Sequence, residues 1–103
     1  MNSIFALYYV SGMIYYFYPS NKMKKKYPIQ LKQFGEKIKE LRNTEELTQY
    51  QLAKKCSIDT RTIQRIEAGE IAAGLHVVFS LAQAFDISVS KLLENITFAK
   101  KPK

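Results

Sequence analysis

The chain has 103 residues and a mass of 11.9 kDa, which is enough for one compact domain with short tails. It carries 16 Lys and Arg against 9 Asp and Glu, a net charge of +7 that suggests a nucleic acid or another anionic partner. One cysteine and one histidine exclude an internal disulfide and a structural zinc site, and the four glycines form no phosphate-binding glycine motif. We therefore expect neither an enzyme nor a bound cofactor or metal.

Residues 1–21 are an apolar, aromatic N-terminal extension without a charged residue. Ser11 and Gly12 divide it into two halves rich in strand-forming residues, so that the sequence fits a hairpin or a helix. The apolar run at 4–18 is shorter than the about 20 residues that span a bilayer as a helix, and it lacks a signal-peptide pattern. We interpret the extension as a packing or dimerisation arm, or as a mis-assigned start with the natural chain beginning at Met23. Contact with a membrane is the less favoured third interpretation.

The positive charge lies in the two flanks of the chain. Residues 28–94 hold nine basic and nine acidic side chains, whereas residues 22–30 and 97–103 are rich in lysine. We predict a basic linker at residues 22–30, a helical domain at residues 31–96 and a basic tail at residues 97–103. The linker is either a solvated connector or an arm that contacts phosphates, and both interpretations stay open.

Three helix starts within the helical domain share one local pattern. Thr48, Asp59 and Ser88 are N-cap residues, and each follows an apolar residue that can contact the first turn of its helix. Gly69 suits the left-handed residue after a helix that ends near Ala68. Apolar residues at helical spacing precede the first cap, and a further apolar helix follows Gly74 and contains Leu75, Val78, Leu81, Ala82 and Phe85. These signals predict five short helices and an all-α fold.

The first two N-caps, Thr48 and Asp59, each begin one helix of a predicted helix-turn-helix. The helix after Thr48 must end near Cys56 and the next begins after Asp59, and so short a link holds two helices at a steep angle. Ile63 and Ile66 line one side of the second helix. That side faces the protein, and the opposite, polar side can enter the major groove of DNA.

The domain carries three segments in order: FGEKIKELR at 34–42, LTQYQLA at 47–53 and TIQRIEAG at 62–69. In residue type and spacing they resemble the lambda-repressor-like (Cro/CI, XRE-type) helix-turn-helix family, and residues 81–93 match its fourth and fifth helices. The resemblance covers residues 31–94 and implies a five-helix DNA-binding domain of a bacterial or phage regulator that binds as a dimer. The family favours glycine where this chain has Glu46 and Ser57, so we expect strain at these two turns.

The second helix of the motif carries the residues that we predict to contact bases. Arg can donate two hydrogen bonds to guanine, Gln can pair with adenine in the same way, and Thr can contact the thymine methyl group. The predicted base-reading residues are Thr60, Arg61, Thr62, Gln64 and Arg65.

We predict phosphate contacts from the first helix of the motif, where free backbone N–H groups at the helix start can meet an anion. The predicted residues are Thr48, Gln49, Tyr50, Lys54 and Lys55, and the resemblance also points to Gln49 for this role. The resemblance further implies a partly buried ion pair between Arg42 and Glu67, which we interpret as structural.

These observations together predict a cytoplasmic, sequence-specific regulator of double-stranded DNA, acting as a repressor or autoregulator. A lone domain covers only a half-site, so we expect a homodimer on an inverted-repeat operator, with Phe79 and Val77 as a dimer patch. The first alternative is an antitoxin with a toxin partner. The second is a protein-interaction or membrane-associated adaptor that keeps the fold without specific DNA binding.

Overall fold

The computed structural model describes residues 6–10, 13–17 and 26–98. The elements in chain order are β1 (Ala6–Val10), β2 (Met13–Phe17), α1 (Pro28–Thr44), α2 (Gln49–Cys56), α3 (Thr60–Glu67), α4 (Leu75–Ala84) and α5 (Val89–Leu92). The predicted all-α, five-helix domain is confirmed. Most lysines of the predicted linker, and all those of the tail, lie outside the described residues.

The N-terminal extension contains an antiparallel hairpin, the first of the two conformations that the sequence allows. β1 pairs with β2 from Ala6–Phe17 to Val10–Met13. No helix within the described ranges has the length and the apolar character that a membrane span needs.

The helical domain extends beyond the predicted bounds at both ends. α1 begins at Pro28, because a proline at the first helical position has its φ already set and has no N–H to leave unpaired. At the other end, the segment after α5 returns to α1, where the Gln33 side chain accepts a hydrogen bond from the Thr97 backbone N–H at 3.0 Å.

The core draws on all five helices. Its largest fully buried side chains are Ile38, Leu52, Ile63, Ile66, Leu81 and Leu92. Cys56 belongs to this core, and burial raises the pKa of its thiol. Cys56 is therefore a small packing residue.

One prediction on α4, the dimer patch, is wrong. Leu75 is 65% exposed, because it opens the helix directly after Gly74 and projects beyond the edge of the core. Val77, predicted to form a dimer patch with Phe79, is buried instead. α4 buries a wide face that includes both Val77 and Val78, which leaves Leu75 and Phe79 exposed one turn apart.

The three predicted N-caps are confirmed. The Thr48 hydroxyl accepts from the Gln51 N–H at 3.1 Å, and the Gln51 side chain accepts from the Thr48 N–H at 2.9 Å, so that a full capping box starts α2. Asp59 accepts from the backbone N–H three residues later at 2.7 Å, and Ser88 does so at 3.1 Å. These caps fix the residue at which each helix begins.

Three of the links between helices repeat one backbone pattern. A residue with φ of 55–57° is followed by a half-buried apolar residue and then by the N-cap. The apolar residue donates its N–H to a carbonyl five residues earlier at 3.0 Å in each link, which closes the preceding helix. The three links are Glu46–Leu47–Thr48, Ser57–Ile58–Asp59 and Asp86–Ile87–Ser88.

Glu46 and Ser57, where the resembled family favours glycine, thus adopt the left-handed conformation that favours glycine. We predict that Glu46→Gly and Ser57→Gly each stabilise the protein by about 0.5–1 kcal/mol, because removal of about 1–2 kcal/mol of strain exceeds the about 0.4–1 kcal/mol that glycine adds to unfolded-chain entropy. Urea unfolding measures this change. Lys54→Gly, in the exposed interior of α2, is the matched control and should destabilise by about 1 kcal/mol. Loss of stability in both turn variants would contradict the assignment of strain.

Candidate nucleic-acid interface

α3 has a buried apolar side and an exposed polar side. Ile63 and Ile66 are 0% and 1% exposed, and they anchor the helix in the core. Arg61, Gln64 and Arg65 are exposed on the outside. We call these three side chains the reading face. The inward and outward sides of α3 are thus as predicted.

The two predicted threonine readers differ from the reading face, because both are half-buried. Thr62 is also tied to the cap, since its backbone N–H donates to the Asp59 carboxylate at 2.7 Å. The side chain and the backbone N–H of Thr62, helped by the charges of Arg65 and Arg61, lower the pKa of Asp59. The cap of α3 therefore holds Thr62 at the border of the helix, and Thr60 is left as the more available of the two.

A buried carboxylate joins α1, α2 and α3. The Arg42 guanidinium donates from Nε to Glu67 Oε2 at 2.7 Å and from Nη2 to Oε1 at 3.1 Å. The two side chains are only 12% and 5% exposed. Arg42 Nη1 also donates to the Leu47 carbonyl at 2.7 Å, which ties in the link before α2. The arrangement is a bidentate ion pair that connects α1 with the end of α3 and with the link before α2.

Gln49 is the fourth member of this network. Its Nε2 donates to Glu67 Oε1 at 3.2 Å, so that the side chain predicted to contact phosphate is half-buried and held by the end of α3. A side-chain amide has two N–H donors, and this bond uses one of them. Gln49 can therefore contact a phosphate through its second N–H, from an orientation that Glu67 sets.

The other predicted phosphate contacts fall into two groups. Tyr50 and Lys54 are exposed, one turn apart on the outer side of α2, and the Thr48 hydroxyl still has its own proton to donate. Lys55, although exposed, lies 4.0 Å from the Glu45 carboxylate on the α1–α2 link. This contact favours the first three residues over Lys55.

Lys39 is a residue that the sequence analysis missed. It borders a groove of about 510 Å³ where α1, α2 and α3 meet. The groove is lined by Lys39, Arg42, Thr48, Gln49, Gln64, Glu67 and Ala68. It thus connects the predicted phosphate contacts with one residue of the reading face. The signal was present in the sequence, because Lys39 stands three residues before Arg42 and so shares its side of α1.

The short link, the buried side of α3 and its polar outer side together define a helix-turn-helix domain. A family model described as helix-turn-helix matches residues 38–92, just over half of the chain. The chain belongs to this family of DNA-binding regulators. The match includes all of α2, α3, α4 and α5.

Solved structures agree with this assignment. The restriction-modification controller protein C.AhdI from Aeromonas hydrophila is 32% identical to this chain in the matched region. The match covers 60% of this chain and 94% of that chain, with a TM-score of 0.59. The clp gene regulator ClgR from Corynebacterium glutamicum shares the fold at 19% identity, with coverage of 65% and 71% and a TM-score of 0.60. The restriction-modification controller protein C.Esp1396I shares it at 22% identity, with coverage of 65% and 87% and a TM-score of 0.59. No curated protein gives a match to this chain.

We predict that Glu67→Ala destabilises the protein by about 3 kcal/mol, because it leaves the Arg42 charge buried without its partner. Replacement of both partners, as in Arg42→Met with Glu67→Leu, should recover most of this loss, since no charge is then buried. Urea unfolding of the parent protein, the Glu67→Ala variant and the double variant provides the measurement. Glu45→Ala is the surface control and should change stability by less than about 0.5 kcal/mol. Equal losses in the Glu67 and Glu45 variants would contradict the structural role of the pair.

Proposed function

We propose that this protein is a sequence-specific regulator that reads the major groove of double-stranded DNA with the helix predicted from Thr60 to Ala68. The observation that carries the proposal is the pair of faces on α3. A helix that enters a groove must be held rigidly from behind, and the two buried isoleucines provide this support.

The chemistry of the reading face fits base edges. A guanidinium can donate two hydrogen bonds to guanine O6 and N7, and a glutamine amide can pair with adenine N6 and N7. Arg61 and Gln64 lie three residues apart on the exposed side of α3, so they can meet neighbouring base pairs. Thr60 opens the helix, where a methyl contact with thymine would be reached first.

Phosphate contacts around the groove would set the position of α3 on the duplex. The candidates are the N–H groups at the start of α2, the Thr48 hydroxyl, the second N–H of Gln49 and the Lys39 ammonium, together with the exposed Tyr50 and Lys54 on the outer side of α2. Residues 28–94 have no net charge, so these local contacts must supply the attraction that a strongly basic domain would supply over its whole surface.

A homodimer completes the proposed mode of binding. One α3 reads a half-site, and two copies related by a two-fold axis read an inverted repeat with half-sites about 34–36 Å apart. The exposed Leu75 and Phe79 on α4 are the apolar side chains that we assign to this interface, because they replace the Val77–Phe79 patch predicted from sequence. Two side chains bury little area compared with the about 800 Å² per partner of a stable interface, so the free dimer should be weak and DNA should strengthen it.

Small controllers of neighbouring genes are the best model for the regulatory role. The chain covers 94% of the length of C.AhdI, whose name describes a restriction-modification controller. We therefore favour a repressor or autoregulator. The antitoxin alternative shares the same DNA-binding face and adds a protein partner, whereas the adaptor alternative requires that no specific duplex is bound.

The experiment that tests the function is selection of binding sites from random duplex DNA, followed by titration of the selected site. We predict an inverted repeat, and we expect Arg61→Ala and Gln64→Ala each to weaken binding to it by about 5- to 100-fold and to relax the preference at one or two positions of each half-site. Lys54→Ala should weaken binding to all sequences alike and reduce the salt dependence by about one phosphate contact.

Gln83→Ala is the control for this experiment, since Gln83 is an exposed glutamine on α4, outside the proposed interface with DNA. Its affinity and sequence preference should match those of the parent protein. Unchanged sequence preference in a variant with both Arg61→Ala and Gln64→Ala would overturn the choice of readers. Selection of no sequence at all would favour the adaptor alternative.

For the dimer, we predict that Phe79→Glu abolishes self-association and weakens binding to the inverted repeat, while binding to an isolated half-site stays the same. The reason is that a carboxylate in a symmetric apolar contact meets its own copy. Sedimentation velocity with and without DNA measures the association. Asn43→Glu, which adds the same charge on the exposed end of α1, is the control. If Phe79→Glu bound both DNA molecules as the parent does, the interface would lie elsewhere.

A further inference from the structure

An apolar groove at the ends of the helical domain is unused by the proposed DNA interface. It has a volume of about 260 Å³ and lies between the start of α1 and the segment after α5. The side chains that matter here are Tyr27, Leu31, Phe34, Leu93, Ile96 and Phe98. None of them is a predicted base or phosphate contact, so a ligand in this groove would leave the reading face uncovered.

The two walls of the groove are fixed to each other. Gln33 exchanges two hydrogen bonds with Thr97, at 3.0 Å to its backbone N–H and 2.9 Å to its hydroxyl. Gln30 donates to the Thr97 carbonyl at 2.6 Å. The rings of Tyr27 and Phe98 meet edge to face with their centroids 6.4 Å apart. The groove is therefore formed before anything enters it.

The rim of the groove exposes apolar surface, although its floor is buried. Phe98 is 66% exposed and Leu93 is 41% exposed, whereas Phe34 beneath them is 6% exposed. Exposed apolar side chains around a preformed concavity mark a binding site more often than scattered ones do. The groove is thus suited to an apolar or aromatic segment of chain.

The hairpin of the same protein is such a segment. Every residue of β1 and β2 is aliphatic, methionine or aromatic, so both faces of the hairpin are apolar whichever side faces the domain. A two-stranded hairpin is at best marginally stable in water without a surface to pack on. The hairpin therefore needs an apolar surface to pack on, and the groove of the helical domain exposes such a surface.

The length of chain between the hairpin and the groove determines whether the hairpin meets the groove of its own chain or that of a second molecule. Nine residues, 18–26, separate the end of β2 from Tyr27, which is itself a wall of the groove. At about 3.3–3.6 Å per residue, this connection keeps the hairpin within about 35 Å of the groove. Such a tether gives an effective concentration in the millimolar range, far above that of a second copy in dilute solution. Its four lysines favour water, so the tether itself does not compete for the apolar groove.

We propose that the β1–β2 hairpin docks into the groove between α1 and the C-terminal segment of its own chain. The N-terminal extension is then a packing arm that completes the apolar surface at the chain ends. This proposal is independent of DNA binding, because the groove and the reading face share no residue.

Hydrogen exchange measured by mass spectrometry on the full chain tests the docking. The variant is Leu93→Lys with Phe98→Lys, which charges the rim, and the matched control is Asn43→Lys with Gln83→Lys, which adds two lysines at exposed positions outside the groove and outside both proposed interfaces. We expect amide exchange in residues 6–17 to rise by about tenfold or more in the groove variant and to stay unchanged in the control. Exchange in α3 reports whether both proteins remain folded.

Two further conditions separate the docked hairpin from other occupants. The parent protein is measured at two concentrations a factor of about 100 apart and with phosphatidylcholine–phosphatidylglycerol vesicles. Protection of the hairpin that is the same in all conditions and is lost in the groove variant supports docking within one chain. Protection only at the higher concentration would assign the groove to a second copy, and protection only with vesicles would assign the hairpin to a membrane. Equal hairpin exchange in the groove variant and the parent would also overturn the proposal.

Discussion

The Glu67 carboxylate is the interaction on which the geometry of the motif depends. It accepts hydrogen bonds from Arg42 on α1 and Gln49 on α2, while it belongs to the last turn of α3. A charge that is 5% exposed has few alternative partners, so any rearrangement of the three helices leaves a buried group unpaired. Gly35 makes the arrangement possible, because a Cβ at this position would lie 2.3 Å from the Ile66 carbonyl oxygen. The close approach of α1 to α3 at Gly35 therefore accompanies the hydrogen bonds that Arg42 on α1 donates to Glu67 on α3.

The links between helices reach their geometry at a local cost. Glu46 and Ser57 adopt a conformation that suits glycine better, yet each link places one apolar side chain where it can serve both neighbouring helices. That side chain closes the end of one helix with its backbone N–H and packs at the entrance of the next. Because three such links occur in one small domain, the angle between consecutive helices follows from short local sequences, and the strain at two of them is outweighed by the contacts that they position.

This locality explains what could be predicted from the sequence. The N-caps, the helix-turn-helix and the inward isoleucines depend on residues within a few positions of each other, and the structure has them as predicted. The contact of Gln49 with Glu67 and the bonds of Gln33 to Thr97 join residues far apart in sequence, and only the packed domain brings them together. The wrong assignment of Val77 to a dimer patch has a similar cause, because helical spacing indicates which residues share a face but not how wide a face the core covers.

The positive charge of the protein lies in its flanks, whereas the helical domain at residues 28–94 has no net charge. A neutral helical domain is attracted only weakly to DNA as a whole, so on the proposed function discrimination between sequences would depend on the few hydrogen bonds that the reading face can form. On the proposed function, the lysines of the flanks would add attraction without sequence preference, and four of them lie in the connection between the hairpin and Tyr27. If the hairpin is docked in the proposed way, the length of the connection limits how far these four lysines lie from the start of α1. Docking would then set where this proposed attraction acts, and it would leave the proposed reading face unchanged.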